Sequence, residues 1–274
     1  MADIYGAHFE YAGKQSRQYG LIIVNIETDR QIALGGNKTT TTIYNKVSKR
    51  RHIINDDYSD SALSFDLEII TENERPLELS ERRTIENWLF AQNDYCKLYF
   101  DDMYGETYEY VNGIRKRLYL SCRFVNPTKV EMGGSVIGYK ATLEADSNMF
   151  WQDAVEYSFA INHETSSDSS IITVNVDSDI NDYTYPEITI MAGETGGDMI
   201  ICNNTDDSSR LTKFTDLPAS AYIIMDGNLN YINGQYYDKF ANRNFIRLLN
   251  GENKLTIIGD VHAIKISFSN RRSL

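Results

Sequence analysis

Four histidines, His8, His52, His163 and His262, are the residues from which catalysis would have to start in this 274-residue chain. None stands beside a candidate nucleophile, and no two share the spacing of a metal pair on one helix or strand. Neither a triad nor a zinc site is therefore expected. Gly134-Ser135 resembles half of a nucleophile elbow, but Ile137 stands where G-x-S-x-G needs its second glycine. No glycine pattern fits a phosphate-cradling loop or a dinucleotide fingerprint. Cys96, Cys122 and Cys202 lie far apart in sequence without a C-x-x-C pair, so they are expected as small core residues. Asp177-Ser178-Asp179-Ile180-Asn181 begins like a calcium loop, yet Asp182 replaces the glycine and Ile188 the closing glutamate. An exposed acidic loop is expected there. The sequence thus offers no catalytic, cofactor-binding or metal residue, and no cofactor.

The elements around these residues read as mainly β. Leu63, Phe65, Leu67 and Ile69 alternate with Ser64, Asp66 and Glu68, the pattern of a half-buried strand. The spacing predicts further strands over Gly20 to Ile26, Cys96 to Phe100, Thr107 to Val111, Arg117 to Val125 and Gly138 to Ala145, the last two joined through Gly133-Gly134. One helix is expected, residues 80–92, with Ser80 as N-cap and Ile85, Trp88 and Leu89 as its apolar stripe. Trp88 reads as a core anchor. Gly35-Gly36-Asn37-Lys38 and the threonines Thr39 to Thr42 read as the start of an extended, exposed loop over about 35–60.

In the last ninety residues, short strands are expected at Pro186 to Ile190, Met199 to Asn203, Ala221 to Asp226, Asn230 to Asn233, Phe245 to Leu249 and Lys254 to Ile258. Turn pairs Gly196-Gly197, Asp226-Gly227, Asn233-Gly234 and Asn250-Gly251 separate them, leaving no room for a helix. A polar, aspartate- and serine-rich stretch follows Ser147 to Trp151, so the domain join is placed there: a first domain over 1–150 and a second over 151–274. Both read as β-sandwiches, the first with a flanking helix.

The net charge is −12, from 27 basic and 39 acidic residues, and residues 151–239 alone hold 3 basic and 15 acidic. Such a balance argues against sequence-specific nucleic acid as the main ligand. No apolar run is long enough for a membrane span or a signal-peptide core, so a soluble chain made in a cytoplasm is expected. One basic cluster, Lys46, Lys49, Arg50, Arg51 and His52, reads as part of a solvated loop, as a charge-complementary contact with a neighbouring subunit, or as a nucleic-acid patch.

PEITI at Pro186 to Ile190, IICNNT at Ile200 to Thr205, YIIMDGNLNYINGQ at Tyr222 to Gln235 and LLNGENKLTIIG at Leu248 to Gly259 come in an order that resembles the distal tail protein (Dit) family of long-tailed bacteriophages. In the first half, the alternating strand before SERRTIENWLF and the crossing SNMFW at Ser147 to Trp151 extend the resemblance over essentially the whole chain. It implies a tail-tube-like amino-terminal sandwich that closes into a hexameric ring, and a galectin-like jelly-roll sandwich projecting outward. It further implies a non-enzymatic virion protein, made in the bacterial host cytoplasm, that joins the tail tube to the tail tip or baseplate. Its partners would be the tail tube protein, a tail-associated lysin or fibre protein, and the tape measure protein, with no membrane contact. The loop carrying the basic cluster would be the extension that embraces a neighbour. The acidic segment 161–183 is longer and more polar than a minimal member needs, and 274 residues leave no space for the inserted modules of sugar-binding members.

The alternative reading is a carbohydrate-binding sandwich module that recognises a cell-surface glycan. Trp151 is the only tryptophan of the second half, so Tyr222, Tyr231, Tyr236 or Tyr237 would have to stack on a sugar, while Tyr231 and Tyr237 are expected in the hairpin ladder. A hydrolase using surface carboxylates is a third reading.

Overall fold

The computed structural model describes residues 8–24, 38–45, 50–58, 62–101, 108–111 and 113–272, with 38–45 and 50–58 described by their backbone. These fall into two compact units, one running to Gln152 and including Arg272, the other Asp153–Arg271. The sequence reading carried the second domain to the terminus; the structure returns the chain to the first unit at Arg272.

The first unit contains β1 (Phe9–Tyr11), β2 (Lys14–Gln15), β3 (Leu21–Val24), β4 (Lys38–Asn45), β5 (Arg50–Tyr58), β6 (Ser64–Thr71), α1 (Leu79–Phe90), β7 (Cys96–Phe100), β8 (Tyr108–Val111), β9 (Ile114–Met132), β10 (Ser135–Ala145) and β11 (Phe150–Gln152). Its main sheet runs β2-β1-β7-β9-β10-β6-β3, with β8 and β11 added to β9. The two ends of this path, β2 and β3, are joined only by a 3-10 turn, Ser16–Tyr19, and Gly20. Laid flat, six strand spacings would separate them by about 29 Å. The link from Gln15 to Leu21 reaches at most about 21 Å fully extended, and far less when wound as a 3-10 turn. The sheet must therefore curl until its edges approach. His8 stitches the closure, with Nδ1 3.0 Å from the Leu21 carbonyl oxygen and Nε2 2.8 Å from Glu72. The Phe9 N–H donates to Ser16 Oγ at 2.9 Å.

Inside the curl lies one core. On β6, Leu67 and Ile69 point inward and Asp66 and Glu68 outward, as the alternation requires. Helix α1 lines this core with Ile85, Trp88 and Leu89, all buried. Its cap is Glu78, not the expected Ser80. The Glu78 N–H donates to Glu81 Oε2 (2.9 Å), and Arg75 holds the same carboxylate, so the reach-back at the first turn starts the helix earlier. Trp88 is 2% exposed. Its Nε1–H donates to the Tyr11 carbonyl oxygen at 2.7 Å, and its ring packs on Phe9 (5.7 Å between centroids) and Tyr19 (5.3 Å). One side chain thus grips both β1 and the turn that leads to β3. At Gly138 a Cβ would lie 2.2 Å from the Ile69 carbonyl oxygen, so only glycine lets β10 approach β6 there.

Two expectations for this unit change. Lys38–Asn45 is not loop but strand, paired antiparallel with Arg50–Tyr58 as a two-stranded sheet of its own. β-branched threonine favours the extended backbone, which outweighs the polarity that suggested a loop. Residues 25–37, 46–49 and 59–61 of that region, including Lys46 and Lys49, lie outside the described residues. Cys96 and Cys122, distant in sequence, are direct cross-strand partners on β7 and β9. Both are free thiols; burial pushes that of Cys122 well above the usual range, with Asp146 and Cys96 adding to it.

The second unit holds β12 (Val155–Ala160), β13 (Ser169–Val176), β14 (Glu187–Ala192), β15 (Gly197–Asn203), β16 (Leu211–Leu217), β17 (Tyr222–Asp226), β18 (Tyr231–Ile232), β19 (Gly251–Ile258) and β20 (Val261–Phe268); β21 (Arg271–Arg272) follows. Sheets β12-β20-β14-β17-β18 and β13-β19-β15-β16 share a core that includes Val174, Ile190, Ile201, Phe214, Ile223, Leu255 and Ile266. Apart from the pairing of β11 with β21, the described strand pairings of both units are antiparallel.

Here too the sequence expectations are amended. The acidic segment 161–183 contains β13, whose Ile172, Val174 and Val176 are buried while Ser169, Thr173 and Asn175 face out. Phe245 to Leu249 is not a strand; only Leu248 makes a bridge, to Thr184. Asn233-Gly234 opens onto a 3-10 turn, Gly234–Lys239, where no helix of any kind was expected. After Asp226 the positive φ falls on Asn230, not Gly227, because the Asp226 carboxylate accepts from the Asn228 and Leu229 N–H groups and shapes the turn itself.

Replacing Trp88 by Ala is expected to destabilise the first unit by about 3–5 kcal/mol. Trp88→Phe should lose less, keeping most of the packing but not the bond to Tyr11. Urea unfolding of the full chain checks both; equal losses would place the effect in the hydrogen bond rather than the packing.

Candidate functional site

The G-x-N pattern at Gly251-Glu252-Asn253 is positioned by β19, and its asparagine is fully buried. Asn253 Oδ1 accepts from the Leu249 N–H (2.8 Å) and from Asn203 Nδ2 (2.8 Å), while Nδ2 donates to the Leu249 and Gly251 carbonyl oxygens. Asn203 in turn donates to the Arg247 carbonyl oxygen and accepts from the Thr205 N–H. Every polar atom of the two amides is thereby paired, as burial demands. Beside them Arg247 lies over the Tyr183 ring (4.0 Å) and binds Asp206 at 2.6 Å. These side chains shape turns and touch no reacting group.

A polar concavity of the same unit is lined by Asn162, His163, Glu164, Gly193, Glu194, Thr195, Asp260 and His262. It looks like a site, but its central groups are committed to the fold. His163 Nδ1 lies 2.8 Å from the Gly259 carbonyl oxygen and Nε2 2.7 Å from Ser170 Oγ. The buried Asp260 carboxylate accepts from the Thr195 N–H and hydroxyl (both 2.6 Å) and the Gly196 N–H (2.9 Å). Burial alone would push this carboxyl up; the three donated hydrogen bonds outweigh it and hold it below the usual range. Gly193 must be glycine, because a Cβ there would fall 1.8 Å from Asp260 Oδ1. No tyrosine or tryptophan is among the described lining residues.

Of the other sequence candidates, His262 lines the same concavity as His163, and the rest stay apart. Ser135 begins β10 after a two-glycine turn with φ of +59° and +80°. The Asp177 and Ser178 N–H groups donate to Asn270 and Asn250, and no group of metal-binding side chains occurs among the described residues. Arg50, Arg51 and His52 lie on β5. Tyr231 is in β18 but half exposed, and Tyr237 is in the 3-10 turn rather than in a hairpin ladder.

Sequence reasoning missed one surface. On the outer face of the curled sheet, Arg117 lies over Tyr99 (3.9 Å), Lys97 over Tyr119 (4.3 Å), Arg115 over Tyr108 (3.9 Å) and Arg123 over Tyr95 (5.5 Å). Tyr99 and Tyr119 are 5.4 Å apart, Trp151 is the cross-strand partner of Tyr119, and Tyr108 meets Tyr110 at 5.7 Å. The signal was available: Tyr108 and Tyr110 alternate at a period of two, and so do Arg115, Arg117 and Tyr119, of which Arg115 and Arg117 lie opposite the two tyrosines in register.

Asn253→Ala is expected to cost about 2–4 kcal/mol, since it leaves Asn203 and several backbone groups unpaired in a dry site; thermal unfolding measures it. Because the folded Asp260 carboxyl titrates below its unfolded value, its stabilisation is present above pH about 4 and is lost as pH falls through the depressed value. Asp260→Asn should therefore be less stable at neutral pH and show a flatter acid limb. An unchanged slope of stability against pH below 4 would remove Asp260 from that role.

Among known families, residues 4–147 match the phage tail protein N-terminal domain and residues 151–269 the phage tail C-terminal domain. No curated protein sequence matches the chain. In fold, the chain is similar to the Dit protein (gp 19.1) of phage SPP1, described as a paradigm of the hub adsorption apparatus in phages that infect Gram-positive bacteria. The TM-score is 0.62 at 12% identity, covering 97% of this chain and 99% of that one. It is also similar to a chain of the phage P2 baseplate in its activated conformation with calcium, at TM-score 0.54 and 9% identity, covering 97% and 98%. The strontium form of that baseplate gives 0.54 at 10% identity. The two family matches between them span both units, and the chain belongs to the phage tail proteins built from these N-terminal and C-terminal domains.

Proposed function

We propose that this protein is a distal tail protein: a non-enzymatic ring of six copies, closed through the first unit, that joins the tail tube to the tail tip or baseplate. The observation that carries this reading is the likeness of the whole chain, both units together, to a hub protein of similar length. The chemistry agrees with it, since the buried polar groups described above are spent on turns and sheet closure.

The ribbon β4–β5 adds a physical reason for assembly. It spans about 30 Å as a two-stranded sheet separate from the main one. An isolated hairpin is marginal in water. A neighbouring protomer is the natural cover, so the ribbon is the arm that embraces the next copy, with the basic residues of β5 near its tip. In this reading the tail tube protein meets one side of the ring, a tail-associated lysin or fibre protein the other, and the tape measure protein its lumen. The second unit is then a galectin-like sandwich at the periphery, and the protein resides in the tail tip of the virion.

Light scattering of the purified chain tests this. A particle near six times 31.4 kDa is expected. Replacing residues 38–58 by a short glycine-serine linker should return it to single chains whose far-ultraviolet strand signal falls only by the share of the two strands removed. A ring that survives the deletion would take the arm out of the assembly.

A further inference from the structure

Among the described residues, the aromatic outer face of the first unit carries four cations, Lys97, Arg115, Arg117 and Arg123, against three carboxylates: Glu10 and Glu144, which pair with Arg117 and Arg123 at 2.9 Å each, and Asp146, which accepts from the Trp151 Nε1–H at 3.3 Å. A surplus of one positive charge among the described residues thus sits on one face of a chain whose net charge is −12. Tyr110 is 67% exposed at its margin. Cations laid flat on tyrosine rings fix both groups in place, so little side-chain freedom is left to lose on docking. Tyrosine, tryptophan and arginine are also the residues that dominate binding energy at protein interfaces.

We infer that this face, from Tyr110 and Arg115 to Lys97, is a docking surface for the acidic second unit of another copy of the chain. Charge complementarity selects that occupant. Residues 151–239 carry 3 basic and 15 acidic side chains, and they supply carboxylates wherever copies gather. A polynucleotide fits less well. So small a surplus of positive charge releases few counterions from a phosphate backbone, whereas an acidic protein surface can use the rings and the charges together. The contact would add to ring closure a second tie between copies, one weakened by salt.

The inference rests on the self-assembly proposed above, and its test separates the two. Tyr110 is replaced by the photocrosslinker p-benzoyl-L-phenylalanine in the full chain, mixed with isotope-labelled wild type, and irradiated; the mixed-isotope peptides are then mapped. Crosslinks to peptides within residues 153–239 of the other copy are expected. Arg115→Glu should weaken the association about tenfold, Arg115→Lys should retain most of it, and raising the salt should blunt the difference. Assembled protein that crosslinks from position 110 only to first-unit peptides, or to nothing, overturns this inference and leaves the ring standing. A strict monomer at every concentration removes both. Binding of a fluorescent single-stranded oligonucleotide that Arg115→Glu abolishes, without second-unit crosslinks, would assign the face to nucleic acid instead.

Discussion

The constraint on which the first unit depends is the shortness of the link between β2 and β3. Strands at opposite ends of a seven-strand path are tied by one 3-10 turn and a glycine, so the sheet has no flat alternative. Everything else follows from the resulting curl. The concave side needs a filler, which α1 provides. The filler needs an orientation, which the Trp88 indole fixes by bonding to Tyr11 while packing on Phe9 and Tyr19. The convex side, stretched over the same strands, presents its outward residues as an open lattice on which tyrosine rings and cations can interleave.

The second unit solves a different problem. Two sheets that face each other need corners, and corners leave backbone groups without ladder partners. Here two buried asparagines and one buried aspartate supply those partners, each able to serve several amides from one position. A carboxamide can do this without charge, which suits the deeper corner at Asn253. Asp260 keeps its charge because three donors converge on it. Such groups resemble binding residues when seen only as a polar cluster, and the difference lies in whether their hydrogen bonds are already spent.

Much of this was legible in the chain itself. The alternation from Leu63 to Ile69, the stripe of Ile85, Trp88 and Leu89, and the turns at Gly133-Gly134 and Gly196-Gly197 each express a local rule that tertiary structure left in force. Where reading failed, a non-local partner had decided the matter. Phe245 to Leu249 is as apolar as a strand, yet the segment finds one bridge rather than a ladder. The threonines of β4 looked like loop until the pairing with β5 gave their backbones a partner. The alternating Val261 to Phe268 went unclaimed although it is the strand between β12 and β14. The proximity of Cys96 to Cys122 and the cation-laced tyrosines depend on register between strands, which no single segment encodes. Site chemistry was legible mainly as a lack of motifs, and the surface that matters most emerged only when four strands were laid side by side.

The chain returns to the first unit at Arg272. Strand β11, which leads out of that unit, pairs with β21, which leads back in, and Arg272 is anchored there by Glu109 at 2.9 Å. The second unit is therefore an insertion whose entrance and exit are one strand spacing apart, about 4.8 Å. Any compact module with neighbouring ends could be grafted at that gate without breaking the curled sheet.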